Sequence, residues 1–147
     1  QVRRRFDIVE EISTEVVEAI HTVEAQGDGP LAQLMDLVLF GDPSSNAVYR
    51  RIAAQLPIIW TSTGVKVGDQ TYAADHAPVF VFPNPLNPRR YVVINSGFTF
   101  HDQSNNAMQS PKLPDWALID LRTPPSDQWP GQVVDAGFFD EQWRWPK

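Results

Sequence analysis

The sequence predicts an α/β domain with three layers around a mixed, mostly parallel sheet, and three observations lead to this prediction. Short apolar runs suited to buried strands recur along the chain. Amphipathic helical patterns lie between some of them. The 13 prolines are concentrated after residue 56, which favours short strands and fixed turns there. The length of 147 residues, with 42% hydrophobic and 20% charged residues, indicates a single globular domain over 1–147.

The first part of the chain predicts an amphipathic helix. Apolar residues of 6–25 follow one another at steps of three and four, and glutamates cover most of the opposite side. Gly27 to Pro30 ends this helix and is a possible hinge. We therefore expect an N-terminal helix and hinge in 1–30 and the main body in 35–147.

A βαβ unit is the next expectation. The apolar run 37–40 indicates a buried strand, and 58–60 indicates another. Between them Val48, Ile52 and Leu56 share one helical face, and Pro57 ends the helix. Two strands joined through a helix predict a right-handed parallel crossover.

The second half predicts a hairpin and further strands. Residues 64–74 alternate around a Gly-Asp turn, which is typical of a hairpin. Strands 79–82 and 91–95 are separated by eight residues with three prolines, too few for a parallel crossover, so we expect them to be antiparallel. About twenty residues precede a strand at 116–121, enough for a second parallel crossover.

Two polar loops follow strands 37–40 and 91–95, at the strand ends where α/β sheets gather their ligands. The first loop also precedes a helix, whose free N–H groups attract anions. If the strands are parallel neighbours, the loops meet in one crevice. The alternative is that these side chains cap the helix and tie the loop. The candidate ligand-binding residues are Asp42, Ser44, Ser45, Asn46, Asn95, Ser96 and Gly97.

No catalytic, metal or cofactor motif stands out. The chain has no Gly-x-Ser-x-Gly elbow, Walker A loop or Gly-x-Gly-x-x-Gly turn. A triad of Ser96, His101 and Asp120 is conceivable, but any chain of this length offers such triples. The histidines His21, His76 and His101 lack metal-binding spacing, and the absence of cysteine excludes thiol chemistry. We therefore predict no catalytic residue, no metal and no cofactor.

The charge balance excludes some partners. A formal net charge of -6 opposes nucleic-acid binding, which needs a basic face. No apolar run is long enough for a membrane span, and the start lacks a signal-peptide pattern.

The tail combines a strand at 133–139 with an aromatic segment. Trp143 and Trp145 are candidate interface residues, because tryptophan is enriched at protein interfaces. They could instead pack onto their own domain. Asp140 and Glu141 beside them also suggest a sugar-binding surface.

A family resemblance accompanies these patterns. Five segments within about 37–145 resemble the C-terminal region of bacterial, planctomycete-like prolyl-oligopeptidase or α/β-hydrolase-family peptidases. They are Leu37-Val-Leu-Phe-Gly-Asp-Pro-Ser-Ser-Asn46, Phe82-Pro-Asn-Pro-Leu-Asn-Pro-Arg-Arg-Tyr-Val-Val-Ile-Asn-Ser-Gly97, Lys112-Leu-Pro-Asp-Trp116, Asp120-Leu-Arg-Thr-Pro-Pro125 and Asp135-Ala-Gly-Phe-Phe-Asp-Glu141. The resemblance implies a secreted or envelope-associated parent protein whose catalytic residues lie outside this chain.

Three functional hypotheses follow. The first is a non-catalytic accessory domain that docks on the catalytic domain of its parent or on another protein. The second is a domain that binds a small polar ligand or anion at loop 41–46. The third is a part of a serine hydrolase, which requires Ser96 and His101 in contact. The ligand and the oligomeric state stay open.

Overall fold

The computed structural model describes residues 31–97, 113–124 and 131–146. Two short helices, one 3-10 helix and eight strands occur there. The helices are α1 (Leu31–Leu34) and α2 (Ala47–Ile52), the latter continued by the 3-10 helix Ala53–Gln55. The strands are β1 (Leu37–Phe40), β2 (Ile58–Thr61), β3 (Gly64–Val67), β4 (Gln70–Ala73), β5 (His76–Asn84), β6 (Asn87–Asn95), β7 (Trp116–Asp120) and β8 (Gln132–Gly137).

Five strands form the larger sheet, in the order β1-β6-β5-β7-β8. β1 runs parallel to β6, with Leu37 opposite Val92 and Phe40 opposite Asn95. The other neighbouring pairs of this sheet, β6–β5, β5–β7 and β7–β8, are antiparallel. β6 and β7 therefore point the same way with β5 between them. The strands predicted at 91–95 and 116–121 do run parallel, but they are not neighbours in the sheet.

The smaller sheet contains β2, β3 and β4, all antiparallel. The hairpin expected at 64–74 is confirmed as β3–β4. Gly64 pairs with Thr61 and Ala73 and has φ 153°, and a Cβ on it would collide with the carbonyl oxygen of Tyr72. Only glycine, which lacks a Cβ, fits at this position between β2 and β4.

The predicted fold class is wrong. Among the described residues, strands far outnumber the short helices, and the larger sheet is mostly antiparallel instead of mostly parallel. The predicted βαβ unit does not form, because β1 and β2 belong to different sheets. The physical reason is local. Ser62 and Thr63 form a tight turn, so β3 pairs with β2 directly after it and β2 becomes part of a hairpin instead of joining the sheet of β1. The N-terminal helix expected at 6–25 and the hinge at Gly27–Pro30 lie outside the described residues.

The antiparallel pairing predicted for 79–82 and 91–95 is confirmed. The strands are longer than expected, because both continue through the proline-rich stretch to a turn between Asn84 and Asn87. Pro83 lies opposite Tyr91, directly before a shift of register. Proline is tolerated at such irregularities because no regular ladder hydrogen bond is needed from it.

One hydrophobic core joins α2, the smaller sheet and one face of the larger sheet. Tyr49 and Ile52 of α2 are fully buried in it, as are Val65 of β3 and Val92 of β6. The core fixes α2 against the carboxyl ends of β1 and β6, and so positions the loops that follow these strands.

A membrane span is not found among the described helices, since each is too short and none carries a long apolar stretch.

Candidate functional site

The two polar loops singled out from the sequence meet in the structure. The backbone N–H of Gly41 donates to the carbonyl of Asn95 at 3.2 Å. The Ser96 hydroxyl donates to the carbonyl of Gly41 at 2.6 Å, and the Ser96 N–H donates to the carbonyl of Pro78 at 3.0 Å. The parallel pairing of β1 and β6 thus brings the two loops into contact at a loop junction defined by Gly41, Asn95 and Ser96.

The Asp42 carboxylate already engages the donors of the first loop. Its Oδ1 accepts from the N–H and hydroxyl of Ser44 at 2.9 and 2.6 Å, and from the N–H and hydroxyl of Ser45 at 2.8 and 2.9 Å. These bonds, led by that of the Ser44 hydroxyl, lower the pKa of Asp42 below its ordinary value. An external anion at this loop would have to replace the carboxylate.

Asn46 caps α2 and ties it to β1. Its side-chain oxygen accepts from the N–H of Tyr49 at 2.9 Å, and its amide nitrogen donates to the carbonyl of Phe40 at 3.2 Å. The side chain is buried, with 3% exposed. The helix-capping alternative for this loop is therefore confirmed for Asn46. Ser44 and Ser45 do not cap α2 and bond to Asp42 instead.

Tyr49 connects the loop junction to the smaller sheet. Its hydroxyl accepts from the indole N–H of Trp60 at 3.1 Å and also interacts with Ser96. Burial raises the pKa of Tyr49 to about 12, so the phenol stays protonated at neutral pH. Sequence reasoning placed Tyr49 in a helix but missed this link, which depends on contacts between distant segments.

Gly97 has a packing role. A Cβ at this position would lie 2.9 Å from the Ile119 side chain and 3.4 Å from that of Val79. A larger residue would therefore require the Ile119 side chain to shift. The binding of a ligand by these candidate residues stays a prediction.

The aromatic cleft, defined by Asp115, Phe139, Asp140, Glu141 and Trp143, lies at another part of the surface and has a volume of about 200 Å³. Phe139 is buried, and Asp115 Oδ2 accepts from its N–H at 3.2 Å. Glu141 is exposed. The cleft therefore combines two aromatic side chains with three carboxylates.

Trp143 has an unusual backbone, with φ 61°. The left-handed region is costly for a bulky residue, so the surrounding turn must hold it there. The Trp143 N–H donates to the Asp140 carbonyl at 2.9 Å. The Asp140 carboxylate accepts from the N–H groups of Gln142 and Arg144 at 2.8 and 2.9 Å, and from Arg144 Nε at 3.1 Å. These bonds, with that of the Arg144 N–H first, lower the pKa of Asp140.

The indole of Trp143 is fixed by other rings. Its centroid lies 5.5 Å from Tyr91, 6.0 Å from Phe82 and 6.2 Å from Phe139. Trp145 packs on Phe139 and on Trp116, at 5.0 and 5.3 Å. Both tail tryptophans thus contact the core of their own domain. Their role at a partner interface is untested and stays a prediction.

The charged groups near β5 and β7 pair with one another. The Arg122 guanidinium contacts the carboxylates of Asp120 and Asp75 at 2.6 and 3.2 Å, and His76 lies 2.8 Å from Asp75. Hydrogen bonds from Arg122 lower the pKa of Asp120 to about 2. The Asp120 carboxylate is thus engaged by an arginine. His101, the base of the conceivable triad, lies outside the described residues.

Within the described segments, no group of three histidine, aspartate or glutamate side chains is arranged so that it could hold a metal ion. His76 interacts with Asp75 and with the carbonyl of Ala73 at 3.3 Å. His21 lies outside the described residues, as does His101.

Comparison with known proteins corrects the family resemblance. Residues 1–50 match the family model of the bacterial phospho-glucose isomerase C-terminal SIS domain. The match covers 50 of the 147 residues and includes the loop from Asp42 to Asn46. No curated protein and no solved structure gives a significant match to the chain.

The expected resemblance to prolyl-oligopeptidase or α/β-hydrolase-family peptidases is therefore wrong. The hypothesis of a hydrolase accessory domain fails with it, because the matching family is named for a sugar isomerase. The secreted or envelope location implied by the resemblance stays a prediction.

Proposed function

We propose that this chain is a sugar-binding domain whose aromatic cleft takes one pyranose ring. The observation that carries the proposal is the pairing of fixed aromatic side chains with carboxylates around one cleft of about 200 Å³. The volume lies below the roughly 300–1,000 Å³ of sites for drug-sized ligands, and suits a ligand of a single ring.

The aromatic side chains supply the apolar contact. A pyranose has a face of C–H groups that packs against an aromatic ring, while its hydroxyls point outward. Trp143 is only half-buried, although three other rings fix its indole. A rigid aromatic group binds at a low cost in conformational entropy.

The carboxylates supply the polar contact. Sugar hydroxyls are hydrogen-bond donors, and hydrogen bonds to an ionised carboxylate are stronger than those between neutral groups. Glu141 has no hydrogen bond or ion pair with the described part of the chain. Its oxygens are therefore available to a ligand.

The family match supports a hexose as the ligand class, since the matching family is named for phospho-glucose. The match lies at residues 1–50, outside the cleft, so it supports the ligand class and not the position of the site. The cleft itself supports the position.

The test is titration of the full chain with methyl glucoside and glucose, observed by protein NMR. We expect binding in the millimolar range, which corresponds to about -4 kcal/mol. Trp143→Ala should weaken it about 2- to 12-fold, if the ring–sugar contact is worth as much as the roughly 0.5–1.5 kcal/mol of an aromatic pair. Trp145→Ala is the matched control, because it removes an indole from the same segment that does not line the cleft.

Both variants need a urea unfolding curve, so that a loss of binding is not mistaken for a loss of structure. The proposal fails if no sugar shifts the cleft resonances, or if Trp145→Ala weakens binding as much as Trp143→Ala.

A second candidate function is sugar-phosphate binding at loop 41–46, with isomerase activity. It is favoured by the overlap of the family match with Ser44 and Ser45. A phosphate would there replace the Asp42 carboxylate as acceptor of the serine hydrogen bonds. The test is isomerisation and binding of glucose 6-phosphate, and both should be lost in Ser44→Ala with Ser45→Ala. Absence of binding by the native chain would exclude this candidate.

A further inference from the structure

We draw no further inference here: the strongest candidate, the face of the larger sheet opposite the core, where the half-buried Val38, Val81 and Val93 lie side by side on β1, β5 and β6, carries nothing because no contact in the described part of the chain shows what covers it.

Discussion

Replacing Asn46 with alanine tests whether the loop after β1 is held by one buried side chain. Asn46→Ala removes the acceptor for the Tyr49 N–H and the donor to the Phe40 carbonyl. Loss of an asparagine cap costs about 1 kcal/mol. Loss of a second, partly buried hydrogen bond costs about 1 kcal/mol more. We therefore expect the free energy of unfolding to fall by about 2 kcal/mol.

The assay is urea unfolding of the full chain followed by circular dichroism, with the slope m held common to both variants. For a chain of this size the same loss should lower Tm by roughly 6 °C. Ser44→Ala is the control. Ser44 is exposed and bonds to Asp42, so its replacement should cost less than about 0.5 kcal/mol.

A loss below about 0.5 kcal/mol for Asn46→Ala would refute the reasoning. So would an equal loss for Ser44→Ala, since the serines and not the cap would then hold the loop. The expected result would show that effects of Asn46 substitutions on ligand binding cannot be interpreted without a stability measurement.

Two further predictions concern Tyr49 and Asp42, which lie in the same region as Asn46. Tyr49→Phe should lower the free energy of unfolding by about 1–2 kcal/mol, because the Trp60 N–H loses its acceptor; an unchanged urea midpoint would contradict this. Asp42 has a lowered pKa in the folded chain, so its contribution is present above the pKa of the unfolded chain and lost as the pH falls below about 4. Asp42→Asn should flatten the acid limb of the stability curve; an identical limb would show that Asp42 contributes nothing.

Local patterns predicted most strands and two of the antiparallel pairs, but not which strands share a sheet. The apolar run at β1 and the antiparallel relation of β5 and β6 followed from residue type and spacing. The βαβ prediction failed because it assumed that β2 returns to the sheet of β1. The sequence between Thr61 and Gly64 is short enough for a hairpin, and a local antiparallel partner costs less loop entropy than a distant parallel one.

The candidate site was also predictable only in part. The sequence predicted that the loops after β1 and β6 come together if these strands are parallel neighbours, and the structure shows this pairing. This did not predict that the Asp42 carboxylate accepts hydrogen bonds from Ser44 and Ser45. In the sequence alone, an aspartate before two serines is equally consistent with a group that binds a ligand. Asp140 and Glu141 were noticed beside the tryptophans, but Asp115 is a distant residue in sequence, and only the tertiary fold brings it to the cleft.

The order of strands in the larger sheet also has a consequence for how the chain folds. β5 and β6 meet through a turn of two residues, whereas β1 reaches β6 across 55 residues, the separation of Asp36 and Tyr91. Closing the long loop costs more entropy than closing the short one, so we expect the β5–β6 hairpin to form before β1 docks on β6. The contact between the two loops would then form in the later step. Detachment of β1 would separate the loops and leave the hairpin paired.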